Sequence, residues 1–129
     1  MIYRILYFIL TTALLSPVSA QSLTPMEARI TTYTDKAAIR VIVNNPYPNM
    51  ARFLLSVRHA DGTPFHEASL SREDIQLAAS KQTSILAIIP MQIKEKDFSV
   101  CMSTIPDYQY SSTVIGRVCG TYSAIQKQF

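Results

Sequence analysis

The chain has 129 residues, and its 12 Lys and Arg residues against 9 Asp and Glu residues give a net charge of +3. This length is enough for one domain with its own hydrophobic core but not for two domains of ordinary size. The basic residues are scattered singly, which excludes the continuous basic stripe typical of nucleic-acid-binding proteins. We therefore expect one domain that does not bind nucleic acid.

Residues 1–20 predict a secretory signal peptide. One positive charge, Arg4, precedes an apolar run over residues 5–15, and a Val-Ser-Ala step follows at residues 18–20. The apolar run is about half as long as a membrane-spanning helix. We expect cleavage before Gln21 and a periplasmic or secreted domain over the rest of the chain, without membrane insertion. The alternative is a segment that is retained as a membrane tether.

The two cysteines, Cys101 and Cys119, stand 18 positions apart. In an exported protein the two thiols are expected to form a disulfide with each other. Two free thiols or a metal site are the alternatives. No CxxC motif occurs, and His59 and His66 lie far from the cysteines in sequence. We therefore predict no metal site and no cofactor, and we place both histidines at the surface.

Apolar and polar residues alternate with period two between turn signals, and this predicts a mostly β domain. The alternation is clearest where every second residue from Ala51 to Val57 is apolar. Residues 83–89 are apolar on both faces, as expected for a strand in the middle of a sheet. Strands are predicted at residues 28–33, 37–44, 51–59, 83–89, 98–105 and 112–122.

The sequence pattern does not decide the secondary structure of residues 63–78, between the third and fourth of these strands. Residues 71–74 fit the start of a helical turn, whereas Ile75 and Leu77 fit a short strand. Residues 94–97 predict a charged turn. About seven short strands in one domain favour a single immunoglobulin-like β-sandwich, although the chain lacks the tryptophan typical of antibody domains.

The last two predicted strands form a hairpin. Antiparallel pairing sets residues whose numbers sum to about 220 opposite each other, so Cys101 faces Cys119 within disulfide reach. Such a disulfide in the last hairpin closes a loop of roughly 18 residues and contributes about 3 kcal/mol in the chain-entropy model.

Four short segments carry a resemblance to a known family. They are residues 23–29, which lead into a strand; residues 40–45, which precede a proline-containing loop; residues 77–89; and residues 98–106, which end in an Ile-Pro step. Together they resemble the N-terminal domain of the PapD-like periplasmic pilus (fimbrial) chaperones.

The resemblance implies a protein-binding function. Chaperones of this family lend their last strand to an exported pilin-like subunit that lacks one strand, which is β-strand addition. The lending strand would be residues 112–122, with Val114, Val118 and Tyr122 as the contacts. A chaperone-like factor for the assembly of pilus or other surface-fibre subunits is the leading function, and an enzyme is not expected.

The family also binds the subunit's terminal carboxylate with a basic pair. The resemblance places Arg29 at the first position of this pair and offers Arg117 for the second, because an arginine fork binds a carboxylate through two hydrogen bonds. Single arginines on strands more often cover apolar surface or lie in solvent, so a purely structural role is the alternative for both.

Two features depart from the family. The chain ends at Phe129, roughly where the family's second sandwich domain begins, so the second domain is expected to be absent. Gly116 and Gly120 dilute the lending strand and weaken it. The alternative function is therefore an accessory or structural secreted β-sandwich, such as a minor fibre subunit. An exposed last strand also makes an edge-paired dimer a possible assembly.

Overall fold

The computed structural model describes residues 23–105 and 116–128. The predicted signal peptide and the start of the predicted last strand, including Val114, lie outside these residues. The described residues form nine strands and no helix: β1 Leu23–Thr24, β2 Glu27–Thr32, β3 Lys36–Asn44, β4 Ala51–His59, β5 Ser69–Leu70, β6 Asp74–Leu77, β7 Gln82–Pro90, β8 Glu95–Ile105 and β9 Arg117–Gln126. No helix that could cross a membrane is found in this part of the chain.

The strands form two sheets that pack face to face. One sheet has the order β1-β3-β7-β5 and the other has the order β2-β9-β8-β4-β6. The first extended segment is divided between them, because β1 pairs antiparallel with β3 whereas β2 pairs parallel with β9. The predicted all-β immunoglobulin-like sandwich is confirmed, with a larger number of short strands than expected.

Period-two alternation builds the core between the sheets. The inward residues of β4 are buried as predicted, and those of β3, β7 and β8 complete the layer. The residues that are at most 1% exposed include Val41, Val43, Phe53, Ile85, Ile89, Phe98 and Val100. Burying one such side chain contributes about 1.5–3 kcal/mol, so these strands carry most of the stability of the sandwich.

Residues 63–78, whose secondary structure the sequence left undecided, contain two short strands instead of a helical turn. β5 pairs with β7, and β6 pairs with β4 at the edge of the other sheet. An ion pair between Arg52 and Asp74 lies on the outer face of β4 and β6. The hydrogen bond from Arg52 holds the pKa of Asp74 below its ordinary value. β8 begins at Glu95, so the turn predicted at residues 94–97 is largely strand.

Asn45 connects the end of β3 to the end of β6. Its side chain is fully buried, and its Nδ2 donates to the carbonyl oxygens of Leu77 at 2.9 Å and Asn49 at 2.9 Å. Its Oδ1 accepts a hydrogen bond from the backbone N–H of Tyr47 at 3.0 Å. Because both ends of the buried amide are satisfied, Asn45 fixes the loop between β3 and β4.

The last hairpin has the predicted register. β8 and β9 pair antiparallel with Cys101 opposite Cys119. The two cysteines form a disulfide with their Cα atoms 4.1 Å apart. The disulfide prediction is confirmed, and it links two neighbouring strands of one sheet.

Candidate partner-binding strand

The two halves of β9 have different neighbours. From Thr121 to Gln126, β9 lies between β2 on one side and β8 on the other. Over residues 117–120 it pairs with β8 alone, because the β2 register begins at Thr121. Within the described part of the chain, the β2 side of residues 117–120 is therefore an open edge.

The backbone of the open half presents hydrogen-bonding groups to this edge. The N–H of Thr121 donates to the carbonyl of Met26 at 2.8 Å, so it points to the β2 side. Residues two apart in a strand direct their backbone groups to the same side. The backbone groups of Arg117 and Cys119 therefore also face the β2 side, which is the side on which a strand from another chain would pair.

Tyr122 belongs to the core. Its side chain is 3% exposed, its ring packs against Phe98 with centroids 5.5 Å apart, and its hydroxyl donates to the carbonyl of Pro25 at 2.6 Å. Burial raises the pKa of Tyr122 to about 12. In the sheet it lies between Ala28 of β2 and Phe98 of β8, and its own backbone groups face β8. The structure thus corrects the prediction that Tyr122 contacts a partner, because neither its ring nor its backbone is available.

Gly120 makes room for this tyrosine. A Cβ at position 120 would overlap the phenol of Tyr122, with the ring carbon Cζ only 2.7 Å away. A Cβ at Gly116 would make ordinary contacts with the Tyr47 hydroxyl at 3.6 Å and Thr104 Oγ1 at 3.8 Å. Gly120 therefore has a packing role in the sandwich, in addition to the weakening expected of a glycine in a strand.

Val118 lies on the same face of β9 as Tyr122 and packs against the core while it stays partly exposed. Arg117 is exposed beside it. Val118 and Arg117 are thus the predicted contacts that lie in the half of β9 with the open edge, residues 117–120. Val114 lies outside the described residues.

The predicted basic pair is not brought together. Arg29 on β2 is aligned with Ser123 of β9, six positions along the strand from Arg117. At about 3.3 Å per residue these positions are about 20 Å apart. The structure therefore does not make the two arginines neighbours, and the clamp stays a prediction.

Arg29 instead lines an open groove of about 290 Å³ across β2, β9 and β8. Glu27 and Asp97 line the same groove, so its charge is mixed. Ser123 donates a hydrogen bond to Asp97 Oδ1 at 2.7 Å, directly beside the position of Arg29. Arg29 therefore lies among acidic residues at the fully paired end of β9, away from Arg117.

Sequence reasoning missed the environment of Lys96 and His59, which it assigned to a turn and to the surface. The structure places both side chains half-buried at one end of the core. The alternation of side chains along a strand could have shown this. Lys96 is two residues before Phe98, and His59 is two residues after Val57. Phe98 and Val57 both face inward. In the described residues no group of three His, Cys, Asp or Glu side chains is placed to hold a metal ion.

No family model and no curated protein matches the sequence. Solved structures, in contrast, match at the level of the fold. The E. coli chaperone DraB matches with a TM-score of 0.64 at 12% identity over 81% of this chain and 53% of that chain. A structure of the Salmonella enterica SafA pilin in complex with the SafB chaperone matches with a TM-score of 0.63 at 18% identity, over 81% and 53% of the two chains.

The same fold occurs in another context. The PapD-like domain 7 of human CEP192 matches with a TM-score of 0.65 at 9% identity, over 83% of this chain and 84% of that one. The chain spans about half the length of the chaperone chains that it matches. The resemblance inferred from the sequence is thus confirmed for the fold: the described residues form a PapD-like immunoglobulin sandwich, whose structural neighbours include periplasmic pilus chaperones.

Proposed function

We propose that this protein is a periplasmic, non-enzymatic chaperone-like factor that binds an exported pilin-like subunit by β-strand addition. The open edge of β9 at residues 117–120 carries this proposal. Among the described residues, the backbone groups of Arg117 and Cys119 have no β2 partner, and the other side of the strand is fixed to β8. A subunit that lacks one strand would satisfy those groups and cover Val118.

The fold neighbours support a partner of this kind. One of them is described as a chaperone in complex with a pilin, and another is described as a chaperone–tip adhesion subunit pre-assembly complex. Val114 and Val118 are the proposed apolar contacts, and Arg117 is a proposed polar contact at the open edge. Arg29 is proposed as a separate anchor for an acidic group of the same subunit, acting from the groove instead of as half of a clamp.

The test is affinity capture of the tagged mature protein from its native periplasm under non-reducing conditions, with mass spectrometry of the captured proteins. Two variants at one position form a matched pair. Arg117→Pro removes the N–H that faces the open edge, and proline is tolerated at a strand edge. Arg117→Ala keeps that N–H and removes only the side chain.

We expect the wild type and Arg117→Ala to recover an exported fibre subunit, and Arg117→Pro to recover about tenfold less of it, since backbone pairing supplies the affinity in this mode of binding. Arg29→Ala should also lower recovery, because it removes the proposed separate anchor. Equal recovery by Arg117→Pro and Arg117→Ala, with both variants folded by circular dichroism, would contradict strand addition at this edge.

The second candidate is an accessory or structural secreted β-sandwich. The match to PapD-like domain 7 of human CEP192 favours it, because that neighbour has the same fold and is not described as a chaperone. This function predicts that the wild-type protein is found in an assembled fibre or secreted complex and that Arg117→Pro leaves its incorporation unchanged.

A further inference from the structure

Three side chains meet at the end of the sandwich where β4 stops and β8 begins. The His59 ring stacks on Phe65 with centroids 4.1 Å apart and an interplanar angle of 12°. Lys96 Nζ lies 2.8 Å from His59 Nδ1 and 5.0 Å from the centre of the Phe65 ring. Phe65 is 7% exposed, so this cluster closes the apolar core.

In residues 23–105 and 116–128, no carboxylate oxygen lies within 4.0 Å of the Lys96 ammonium. Asp61 is a more distant neighbour, because the charge of Lys96 helps to lower the pKa of its carboxyl. The ammonium has three N–H donors, and its contact with His59 uses at most one of them. A half-buried cation with donors to spare favours an anionic group beside it.

A small pocket lies next to this cation. Its volume is about 130 Å³, which is enough for several water molecules or a short organic acid. Besides His59, Phe65 and Lys96, its lining residues are Glu67, Pro90, Gln92 and Ile93. Ile93 is 58% exposed, and with Pro90 it supplies an aliphatic part of the lining.

We propose that this pocket binds a carboxylate on a short aliphatic stem, with the carboxylate on Lys96 and the stem against Ile93 and Pro90. The same chemistry is supplied by a free short-chain acid and by a glutamate side chain of a bound protein. The pocket lies at the opposite end of β8 from the residue that pairs with Arg117. The proposal is therefore independent of strand addition at β9.

The charge of Glu67 makes it possible to distinguish an anionic ligand from a cationic one. It is the one acidic residue among those that line the pocket, and it is exposed. Its charge opposes a carboxylate and would attract a cation, so the uncharged variant Glu67→Gln separates the two kinds of ligand. A carboxylate should bind more tightly to Glu67→Gln, whereas an amine should bind more weakly.

The experiment is a titration of the ¹⁵N-labelled mature protein followed by amide chemical shifts. The probes are propionate, the blocked peptide acetyl-Ala-Ala-Glu-Ala-Ala-amide, and propylamine as the cationic control. Lys96→Met removes the ammonium group and keeps an unbranched apolar side chain, and Lys96→Gln serves if the Met variant unfolds. Lys94→Met, two residues away and not among the lining residues, is the matched control.

We expect saturable shifts at the amides around Phe65 and Lys96, with a Kd of about 1–10 mM for propionate because so small a ligand makes few contacts. Affinity should fall at least about tenfold in Lys96→Met, stay unchanged in Lys94→Met, and rise about two- to fivefold in Glu67→Gln. Tighter binding of the peptide than of propionate would assign the site to a protein side chain, and the reverse would assign it to a free acid.

Three results would overturn the proposal. They are the absence of saturable shifts with either acid up to roughly 100 mM, which is far above the expected Kd; an unchanged affinity in a folded Lys96 variant; and weaker carboxylate binding by Glu67→Gln. Saturable binding of propylamine that is lost in Glu67→Gln would assign the pocket to a cation instead.

Discussion

The two halves of β9 follow each other in one strand but contribute differently to the molecule. The half from Thr121 to Gln126 has strands on both sides, and its inward residues Tyr122 and Ala124 are at most 3% exposed. The half at residues 117–120 is held on one side, and Val118 is only partly buried. The comparison teaches that one strand can stabilise a fold with one half and leave the other half available to a partner.

Truncation of one inward side chain in each half should show the largest contrast. Tyr122→Ala removes a buried ring and its hydrogen bond to Pro25, and it should lower the free energy of unfolding by about 3–5 kcal/mol. Val118→Ala removes a partly buried side chain and should lower it by about 1 kcal/mol. Urea denaturation of both variants measures the difference, and equal losses would mean that the two halves contribute alike.

Gly120 lies at the boundary of the halves and offers a second test. Gly120→Ala should lower the free energy of unfolding by about 1–3 kcal/mol, because the new Cβ displaces the buried phenol of Tyr122. In the Tyr122→Ala background the same substitution should have almost no effect. A double-mutant cycle by urea denaturation measures this coupling. Additive losses would show that the ring does not lie over Gly120.

The loss of stability at alkaline pH should test the half of β9 from Thr121 to Gln126, because Tyr122 lies there. Burial raises the pKa of Tyr122 to about 12, above the ordinary value of 10.0. Between these values the unfolded chain releases this proton while the folded chain retains it. The stabilising contribution is therefore complete below pH 10 and lost as the pH rises through 12, by on the order of 1–2 kcal/mol.

Tyr122→Phe is the matched control for this pH dependence. It keeps the ring and removes the titrating group, so its stability should fall less steeply than that of the wild type between pH 10 and 12. Urea midpoints measured across this range give the two slopes. Parallel slopes would show that Tyr122 ionises alike in the folded and unfolded chains.

Local patterns were enough to predict much of the fold. The inward residues of β3 and β4 follow from alternation alone, and the pairing of Cys101 with Cys119 follows from the register of a hairpin between strands that are close in sequence. The parallel pairing of β2 with β9 did not follow, because alternation specifies which face a residue occupies and not which strand lies beside it.

The candidate site shows the same boundary between what the sequence specifies and what it leaves open. Alternation placed Val118 and Tyr122 on one face of the last strand correctly, but it could not tell whether that face contacts the core or a partner. The distance between Arg29 and Arg117 depends on a register set by packing between distant segments. Gly120 was the available signal, since a glycine two residues before an aromatic residue leaves space for a ring on the same face.

The disulfide at Cys119 has a mechanical consequence. Any partner that pairs with residues 117–120 also transmits force to them. The bond to Cys101 passes that force directly to β8, which is itself paired with both β9 and β4. The strand therefore cannot be peeled from its neighbour one hydrogen bond at a time beyond this position. Under tension, the oxidised hairpin would hold its register where a reduced one would unzip.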